Sequence, residues 1–280
     1  MAALVFVAAF FLNRWSECVP FRLRSVSGRG RETMCLISFN IDGSSGDPLE
    51  KAKAVTSFLH GNPSDVAFIA EFNEQYPRSL DSLLSKEFLY TTYPNHLFFQ
   101  YFFGCYPFFH SRRLIDTDGN DLGVYACSIQ FQGDTIDLYG CHFASNNYGE
   151  NLERVALDEI TDKDEFFSYV KNVRNASERR VLEAETIVRE ISQSRHQVIV
   201  MGDMNDVGGS NAIRILENAG LKDACWEGGV GYGATILSPL PYRIDHIMYT
   251  NGLRLEMIRV LESNGISDHN ALYAVFSYNR

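Results

Sequence analysis

The sequence contains no C-x-x-C pair, although it has six cysteines in 280 residues. Zinc knuckles place two cysteines at that spacing, and small disulfide scaffolds carry cysteines at a higher density. Neither kind of structure is therefore indicated. We expect the cysteines to be buried as small hydrophobic side chains; they are Cys18, Cys35, Cys105, Cys127, Cys141 and Cys225.

Positive charge is also scarce. The chain has 25 Lys and Arg residues against 35 Asp and Glu residues, which gives a formal net charge of -10. Proteins that bind long stretches of nucleic acid usually carry a basic surface that attracts the phosphate backbone, so this kind of binding is disfavoured. The charge does not exclude a nuclease, because bound divalent cations can supply positive charge locally.

The N-terminal apolar run is too short to span a membrane by itself. The run AALVFVAAFFL covers residues 2–12, whereas a helix needs roughly 20 apolar residues to cross the hydrocarbon core. It lacks the basic start and the cleavage site of a signal peptide. Trp15 and the arginines up to Arg31 follow it, a composition typical of a membrane interface. We predict that residues 1–32 are a partial membrane anchor, on an undetermined side; the alternative is a soluble cytoplasmic chain with a loosely packed tail.

From residue 33 onward, predicted strands and helices alternate. The apolar segment 34–40 indicates a strand, residues 47–61 have helical spacing and end on Gly61, and residues 65–72 indicate a second strand. This is β-α-β order. Within residues 123–144, two alternating segments flank Gly133-Asp134, which predicts an antiparallel hairpin.

The second half continues in the same way. Residues 150–195 are rich in charge, with apolar residues every three or four positions, and predict a helical insertion. Further strands are predicted at 197–203, 242–250, 253–262 and 271–278, with a short helix at 210–220. Many strands, some hairpins and a few helices favour an α/β sandwich of two packed sheets flanked by helices. We assign residues 33–280 to one catalytic domain.

Polar side chains follow the predicted strands at positions where burial in a packed core would be unfavourable. Each has an ordinary explanation, such as a turn residue or a hydrogen-bonded core histidine. The residues recur in order along the chain, each at the end of a predicted strand. For the set to have no function, an ordinary explanation would have to hold for every one of them. The set comprises Asn40, Asp42, Glu71, His142, Asn146, Asn147, Asp203, Asn205, Asp245, Asp268 and His269.

Such a set of side chains indicates a metal-assisted hydrolysis. Carboxylates that cluster at one edge raise one another's pKa unless a cation neutralises them. Oxygen ligands from Glu, Asp and Asn suit Mg²⁺ or Mn²⁺ better than zinc, and two histidines add groups that titrate near neutral pH. The most plausible chemistry is hydrolysis at phosphorus.

The ordered motifs FNIDG, AEFNE, CHFAS, GDMND, YRIDHIMY and SDHNAL resemble those of the endonuclease/exonuclease/phosphatase superfamily. The resemblance extends over about residues 33–278 and is nearest to bacterial members with a hydrophobic, membrane-associated N-terminal region. It implies a deoxyribonuclease-like fold, a four-layer α/β sandwich with two mixed sheets. It also implies a hydrolase of phosphoric esters that depends on Mg²⁺ or Mn²⁺.

The resemblance assigns the metal ligands to the motifs nearest the first two strands and the last one. Glu71 is the expected principal ligand, with Asn40 and Asp42 beside it and Asp268 on the far side. Asn146 and Asn147 are candidate substrate contacts.

The catalytic roles carried over by the resemblance fall on five residues. Asp203 would orient or deprotonate the attacking water, and Asn205 would hold a phosphate oxygen. His269, paired with Asp245, would stabilise the developing negative charge on the phosphoryl group. His142 would help to protonate the leaving group, although no partner acid for it is evident in the sequence.

Several functions remain open within this reading. We expect a phosphodiesterase of the nuclease type. The alternatives are a phosphomonoesterase, a lipid or sugar-phosphate hydrolase at a membrane, and a catalytically silent binding module on the same fold. A dedicated calcium-binding protein is disfavoured because its ligands would lie close together in the sequence. No obligate protein partner is indicated. Arg174, Arg179 and Arg180 either contact an anionic substrate or belong to a solvated helix face.

Overall fold

The computed structural model describes residues 33–43, 45–72, 83–84, 88–92, 100–116, 119–146, 163–229, 233–236 and 241–279. The predicted membrane anchor at residues 1–32 lies outside these ranges. Within them, no helix combines the length and the apolar composition that a membrane crossing requires.

Twelve strands and four helices are described. The strands are β1 (Met34–Asn40), β2 (Val66–Ala70), β3 (Tyr90–Thr91), β4 (Gln100–Gly104), β5 (Phe109–Ile115), β6 (Asp121–Phe131), β7 (Asp134–His142), β8 (Gln197–Asp203), β9 (Lys222–Asp223), β10 (Asp245–Tyr249), β11 (Leu253–Leu261) and β12 (Ala271–Tyr278). The helices are α1 (Pro48–Gly61), α2 (Lys163–Gln193), α3 (Asn211–Asn218) and α4 (Ala224–Gly228).

The strands form two mixed sheets of six strands each. The first sheet has the order β11-β12-β1-β2-β4-β3, and the second has the order β5-β6-β7-β8-β10-β9. In the first sheet β1 and β2 are parallel, and in the second sheet β7 and β8 are parallel; the pairs around them are antiparallel. The predicted α/β sandwich of two mixed sheets is therefore confirmed.

Three groups of buried residues define four layers. Inner-face side chains of both sheets, such as Leu36, Phe68 and Ile199, pack together between the sheets. Side chains on the other face of the first sheet pack against α1, where the rings of Phe39 and Phe58 lie 4.9 Å apart. The outer face of the second sheet is covered by α2 and α3. The layers are thus helix, sheet, sheet and helices.

Helix α1 begins where the sequence predicts it. Asp47 is its N-cap, the side chain accepting a hydrogen bond from the Glu50 amide, and Pro48 occupies the first turn, where its missing amide costs nothing. The predicted insertion at 150–195 contains α2, whose described part begins at Lys163. Its remaining residues, 150–162, lie outside the described ranges.

Two predicted boundaries in the second sheet were wrong. The β6–β7 hairpin turns at Gln132 and Gly133, with φ of 54° and 89°, and Asp134 already pairs with Phe131. A two-residue turn between twisted strands requires positive φ at both positions, which places it one residue earlier than predicted. The strand predicted at 242–250 begins at Asp245, because Tyr242 instead forms an isolated bridge with Ile236.

The cysteines only partly follow the prediction that they are buried. Cys127 and Cys141 are buried, Cys35 and Cys225 are partly buried, and Cys105 is exposed. Cys105 directly follows β4, where the chain leaves the sheet. Cys18 lies outside the described residues.

Strand alternation decides which polar side chains can meet. Residues Leu36 and Met201 face the space between the sheets, and alternate positions continue this face to Asn40 in β1 and Asp203 in β8. In the second sheet His142 is opposite Asp203, and Asp203 is opposite Asp245. The inter-sheet face therefore ends, at one edge, in polar side chains from both sheets.

The sheets pack so closely at Gly140 that an added methyl group should destabilise the fold. A Cβ on Gly140 would lie 2.1 Å from Cε2 of Phe68, which is fully buried between the sheets. We expect Gly140→Ala to lower the free energy of unfolding by about 1–3 kcal/mol, as overpacking a core does. Urea unfolding followed by circular dichroism measures this difference.

Gly61→Ala is the matched control, since no atom lies within 4 Å of its added Cβ; the expected change is within about 0.5 kcal/mol. Combining Gly140→Ala with Phe68→Leu should recover part of the loss, because the two side chains compete for one space. Equal effects of Gly140→Ala and Gly61→Ala would contradict this account of the core.

Candidate active site

Seven of the predicted site residues converge at one edge of the sandwich. Asn40 and Glu71 come from the ends of the parallel strands β1 and β2, and His142 and Asp203 from the ends of the parallel strands β7 and β8. Carboxyl ends of parallel strands meet at one edge of a sheet, which is where open α/β folds bind ligands. Asn205, Asp245 and His269 complete the group.

Asn40 connects the two sheets. Its Nδ2 donates to Oε1 of Glu71 at 2.8 Å and to Oδ2 of Asp203 at 3.1 Å. Its Oδ1 accepts from the backbone amide of Asp42 at 3.0 Å. One buried amide thus holds a carboxylate from each sheet.

Glu71 is also paired with a histidine. Nε2 of His142 lies 3.2 Å from Oε1 of Glu71 and 3.9 Å from Oδ2 of Asp203. Burial by itself would raise the pKa of Glu71, but the hydrogen bond and charge of His142, with smaller contributions from Asn40 and His269, outweigh it and lower the pKa to about 2. Burial opposes a charge on His142, yet Glu71 and Asp203 raise its pKa overall.

Asp203 and Asp245 share the second histidine. Nδ1 of His269 lies 2.8 Å from Oδ2 of Asp245, and its Nε2 lies 3.7 Å from Oδ2 of Asp203. Burial and then the charge of Asp245 raise the pKa of Asp203 to about 6. Burial acts against a charge on His269, but Asp245 above all, with Asp203 and Asp268, raises the pKa of His269 to about 10. The imidazole is therefore cationic at neutral pH.

Asn205 is fixed by three hydrogen bonds. Its backbone amide donates to Oδ1 of Asp203 at 2.8 Å, and its Nδ2 donates to the Phe143 carbonyl at 2.9 Å and to Oδ2 of Asp203 at 3.3 Å. The side chain thus joins the residues that follow β7 and β8 and also contacts the Asp203 carboxylate.

The backbone is strained at this edge. Six non-glycine residues of the described chain have positive φ, and three of them are Asp42 (45°), Glu71 (57°) and Asn205 (49°). Glu71 directly follows β2, and Asp42 and Asn205 lie two positions beyond the ends of β1 and β8. The left-handed conformation is unfavourable for side chains other than Gly, Asn and Asp, and it clusters at functional sites. The sequence predicts that the second strand extends to residue 72. The left-handed conformation of Glu71 explains why β2 ends earlier, at Ala70.

Four predicted site residues stand outside this group. The carboxylate of Asp42 lies 3.8 Å from Nζ of Lys51, and Asp268 is exposed, accepting from the hydroxyl of Ser267 at 3.3 Å. Asn146 is buried with its Oδ1 bonded to Arg180. Asn147 lies outside the described residues. The metal and substrate roles predicted for these four remain predictions.

A family model for the endonuclease/exonuclease/phosphatase family matches residues 37–269. This span covers most of the chain and includes every residue of the convergent group. The chain belongs to the endonuclease/exonuclease/phosphatase family. A comparison with curated protein sequences gives no match.

Solved structures of members of this fold superimpose on the chain. Humanized D. rerio TDP2 is 17% identical with a TM-score of 0.66, covering 88% of this chain and 99% of that one. D. rerio TDP2 in complex with a single-strand DNA product is 16% identical with a TM-score of 0.63, covering 88% and 99%. Beta toxin from Staphylococcus aureus is 14% identical with a TM-score of 0.59, covering 86% and 99%. These likenesses establish the deoxyribonuclease-like sandwich.

The residues of this endonuclease/exonuclease/phosphatase family member fit a divalent cation. Ligand atoms of Glu71, His142 and Asp203 all lie within 4.8 Å of one another. Two carboxylates at this separation need a positive charge between or beside them, and oxygen atoms are the ligands that Mg²⁺ prefers. The Asn40 amide presents its nitrogen to both carboxylates, so its oxygen becomes a ligand only if the amide is flipped.

Sequence reasoning missed two residues that hold the site together. The hydroxyl of Ser267 donates to the Asn40 carbonyl at 2.8 Å and accepts from the His269 amide at 3.0 Å. Thr235 is fully buried, and its hydroxyl accepts from the Ile244 and Asp245 amides, each at 3.2 Å. Ser267 lies inside a recognised motif and could have been assigned. Thr235 lies in a segment without periodicity, which gave no signal.

The pair of Asp245 and His269 makes a prediction about pH. Asp245→Asn should lower the pKa of His269 from about 10 toward the ordinary value of about 6.5. Titration of the histidine ring signals by NMR, in the metal-free protein, measures this shift.

The same pair should affect stability in a defined pH window. Because the pKa of His269 is raised in the folded state, the stabilisation is fully present below about 6.5 and is lost as the pH rises through about 10. The difference in free energy of unfolding between the parent chain and Asp245→Asn should shrink over that interval. A His269 that titrates near 6.5 in the parent chain would refute the pairing.

Proposed function

We propose that the chain is a divalent-metal-dependent phosphodiesterase that cleaves by in-line attack of water. The observation that carries this proposal is the convergence of Glu71, His142, Asp203 and His269, distant in the sequence, around Asn40. This group contains a candidate metal ligand, a base, an acid and a cation for the developing charge. Those are the parts that hydrolysis at phosphorus needs.

The metal would be held chiefly by Glu71, together with Asp203, and by Asn40 once its amide has turned to present Oδ1. When bound, Mg²⁺ or Mn²⁺ would polarise a phosphoryl oxygen and offset charge in the transition state. Glu71 suits this role, because its lowered pKa keeps it ionised at neutral pH. The assignments of Asp42 and Asp268 as further ligands are part of the proposal.

Asp203 would orient the attacking water and take its proton. Its position is fixed on three sides, because Asn40 donates to Oδ2 while the amide and side chain of Asn205 donate to both oxygens. This arrangement leaves little freedom for the carboxylate, so a water bound to it is held in one orientation. For Asn205 to hold a phosphate oxygen as predicted, its Nδ2 would exchange the 3.3 Å bond to Asp203 for one to the phosphate.

The two histidines would act on the charges that develop elsewhere. His269 is cationic through its bond to Asp245, so it opposes the negative charge that accumulates on the phosphoryl oxygens. Glu71 and Asp203 raise the pKa of His142, and in its protonated form it would give a proton to the leaving oxygen. The partner acid that the sequence did not reveal is, in this arrangement, Glu71.

The substrate class is proposed from weaker observations. D. rerio TDP2, of the same fold, was crystallised with a single-strand DNA product, which favours a nucleic acid phosphodiester. The apolar run at residues 2–12 favours a phosphodiester on a membrane as the second candidate, with the chain attached through residues 1–32. The full chain should be assayed with Mg²⁺ against single-stranded DNA, RNA, a chromogenic phosphodiester and phospholipid vesicles. Metal binding without turnover of any of these substrates would favour a silent binding module.

Asp203→Asn tests the assignment of the base. A neutral amide keeps the shape and accepts hydrogen bonds but cannot take a proton, so kcat should fall by about 10²–10⁴-fold. The melting temperature should change little, because removing a charge from the interior offsets the hydrogen bonds that the new amide nitrogen cannot accept. An activity within twofold of the parent chain would rule out Asp203 as the base.

Glu71→Gln tests the metal site. We expect the Mg²⁺ concentration for half-maximal activity to rise by at least about tenfold, because a formal charge is removed from the ligand set. Mn²⁺ binding measured by calorimetry reports the same loss without substrate. Glu50→Gln is the matched control, because Glu50 is exposed and its carboxylate pairs with Lys53 of the same helix. Unchanged metal dependence in Glu71→Gln would show that the ligand assignment is wrong.

A further inference from the structure

Arg180 is buried in the middle of α2. The residue is only 3% exposed, although arginine is rarely buried unless it is fully paired. This excludes both roles considered for it from the sequence, since a buried guanidinium neither belongs to a solvated helix face nor reaches a substrate. Arg174, by contrast, is exposed and pairs with Glu178 at 2.8 Å on its own helix.

The Arg180 guanidinium bridges two loops that leave the active-site edge. One is the β7 loop (residues 143–146), where its Nη1 donates to the Ala144 carbonyl and to Oδ1 of Asn146, each at 2.9 Å. The other is the β8 loop (residues 204–210), where its Nε donates to Oδ2 of Asp206 at 3.1 Å. The planar group therefore holds both loops in a fixed relation.

Each loop is continuous with catalytic candidates. The β7 loop begins directly after His142, and the β8 loop begins directly after Asp203 and contains Asn205. Glu183, one helical turn after Arg180, accepts from the Ala144 amide at 3.0 Å. Arg180 and Glu183 thus hold both the carbonyl and the amide of one residue, two positions beyond His142.

We propose that Arg180 is a positioning residue for the reaction. By fixing the separation of the β7 and β8 loops, it holds the strand ends that carry His142 and Asp203, together with Asn205, in one relative position. The inference rests on the proposed function, since it concerns how the groups of that reaction are held. It matters because a displacement of about 1 Å in a reacting group costs about 10²-fold in rate.

Lysine cannot replace this arginine. Arg180 donates from two different nitrogens to acceptors on two loops, and the fork keeps these directions fixed. An ammonium carries the same charge at one point and cannot span both loops in the same geometry. Arg180→Lys therefore keeps the charge opposite Asp206 but loses the bridge.

The test uses Arg180→Lys and Arg180→Met in the full chain. For Arg180→Lys we expect kcat on a chromogenic phosphodiester to fall by about 10- to 100-fold, while KM and the Mg²⁺ concentration for half-maximal activity change less than about threefold. A smaller amount of folded enzyme would also lower the apparent kcat at constant KM, so kcat is calculated per folded molecule, with the folded fraction measured by circular dichroism. A fall in kcat that persists after this correction identifies loss of positioning.

Arg189→Met is the matched control for Arg180→Met. Arg189 is exposed on the same helix, far from the edge that carries the site, so the variant should keep parent values of kcat and KM. Arg180→Met leaves the partly buried Asp206 charge without its partner and can unfold the chain. Arg180→Met combined with Asp206→Asn removes that charge, and this pair should fold yet show the same loss of kcat as Arg180→Lys.

A second readout does not depend on turnover. Ring signals of ¹⁵N-labelled histidines should shift for His142 in Arg180→Lys and stay unchanged in Arg189→Met. If the parent chain cleaves no phosphodiester, the proposed function fails, and the His142 signals alone decide whether Arg180 orients this residue. Parent values of kcat in Arg180→Lys, or unshifted His142 signals, would overturn the proposal and leave Arg180 with a role in stability only.

Discussion

The hydrogen bonds of one amide, Asn40, hold the two halves of the site together. Its Nδ2 lies between Glu71 of the first sheet and Asp203 of the second. The Asp203 carboxylate is buried and the Glu71 carboxylate is partly exposed. The two would repel each other, and an amide donor shared between them bonds to both without adding a charge. The relative position of the sheets, set by packing around Phe68 and its neighbours, must therefore be accurate to the length of a hydrogen bond. The residues proposed as metal ligand, base and acid all depend on that spacing.

Strain at the strand ends follows from the same constraint. A side chain that continues the inner face of a strand points between the sheets, where it would be covered by the next turn of chain. A residue in the left-handed conformation changes the chain direction within one position, so its own side chain can reach the site although the residue before it stays buried. Glu71 and Asn205 take this conformation. The cost of holding them so, of order 1–3 kcal/mol each, is offset by hydrogen bonds to Asn40 and Asp203.

The sequence was most informative where physical periodicity and chemistry coincide. β1, β8 and β12 have the predicted bounds, because buried strands flanked by turn residues leave little ambiguity. The convergence of Asn40, Glu71, Asp203 and His269 followed from polar residues at strand ends. The pairing of His142 with Glu71 could not be predicted, because it depends on the relative position of two sheets. For the same reason the burial of Arg180 escaped prediction: charge on a helix does not reveal which face meets a loop.

Helix α2 extends well beyond the loops that it holds. Arg180 bonds the β7 and β8 loops at the active-site edge. From there to Lys163 the helix continues for roughly 25 Å at 1.5 Å per residue. A displacement of this helix would therefore move both loops together, through one guanidinium.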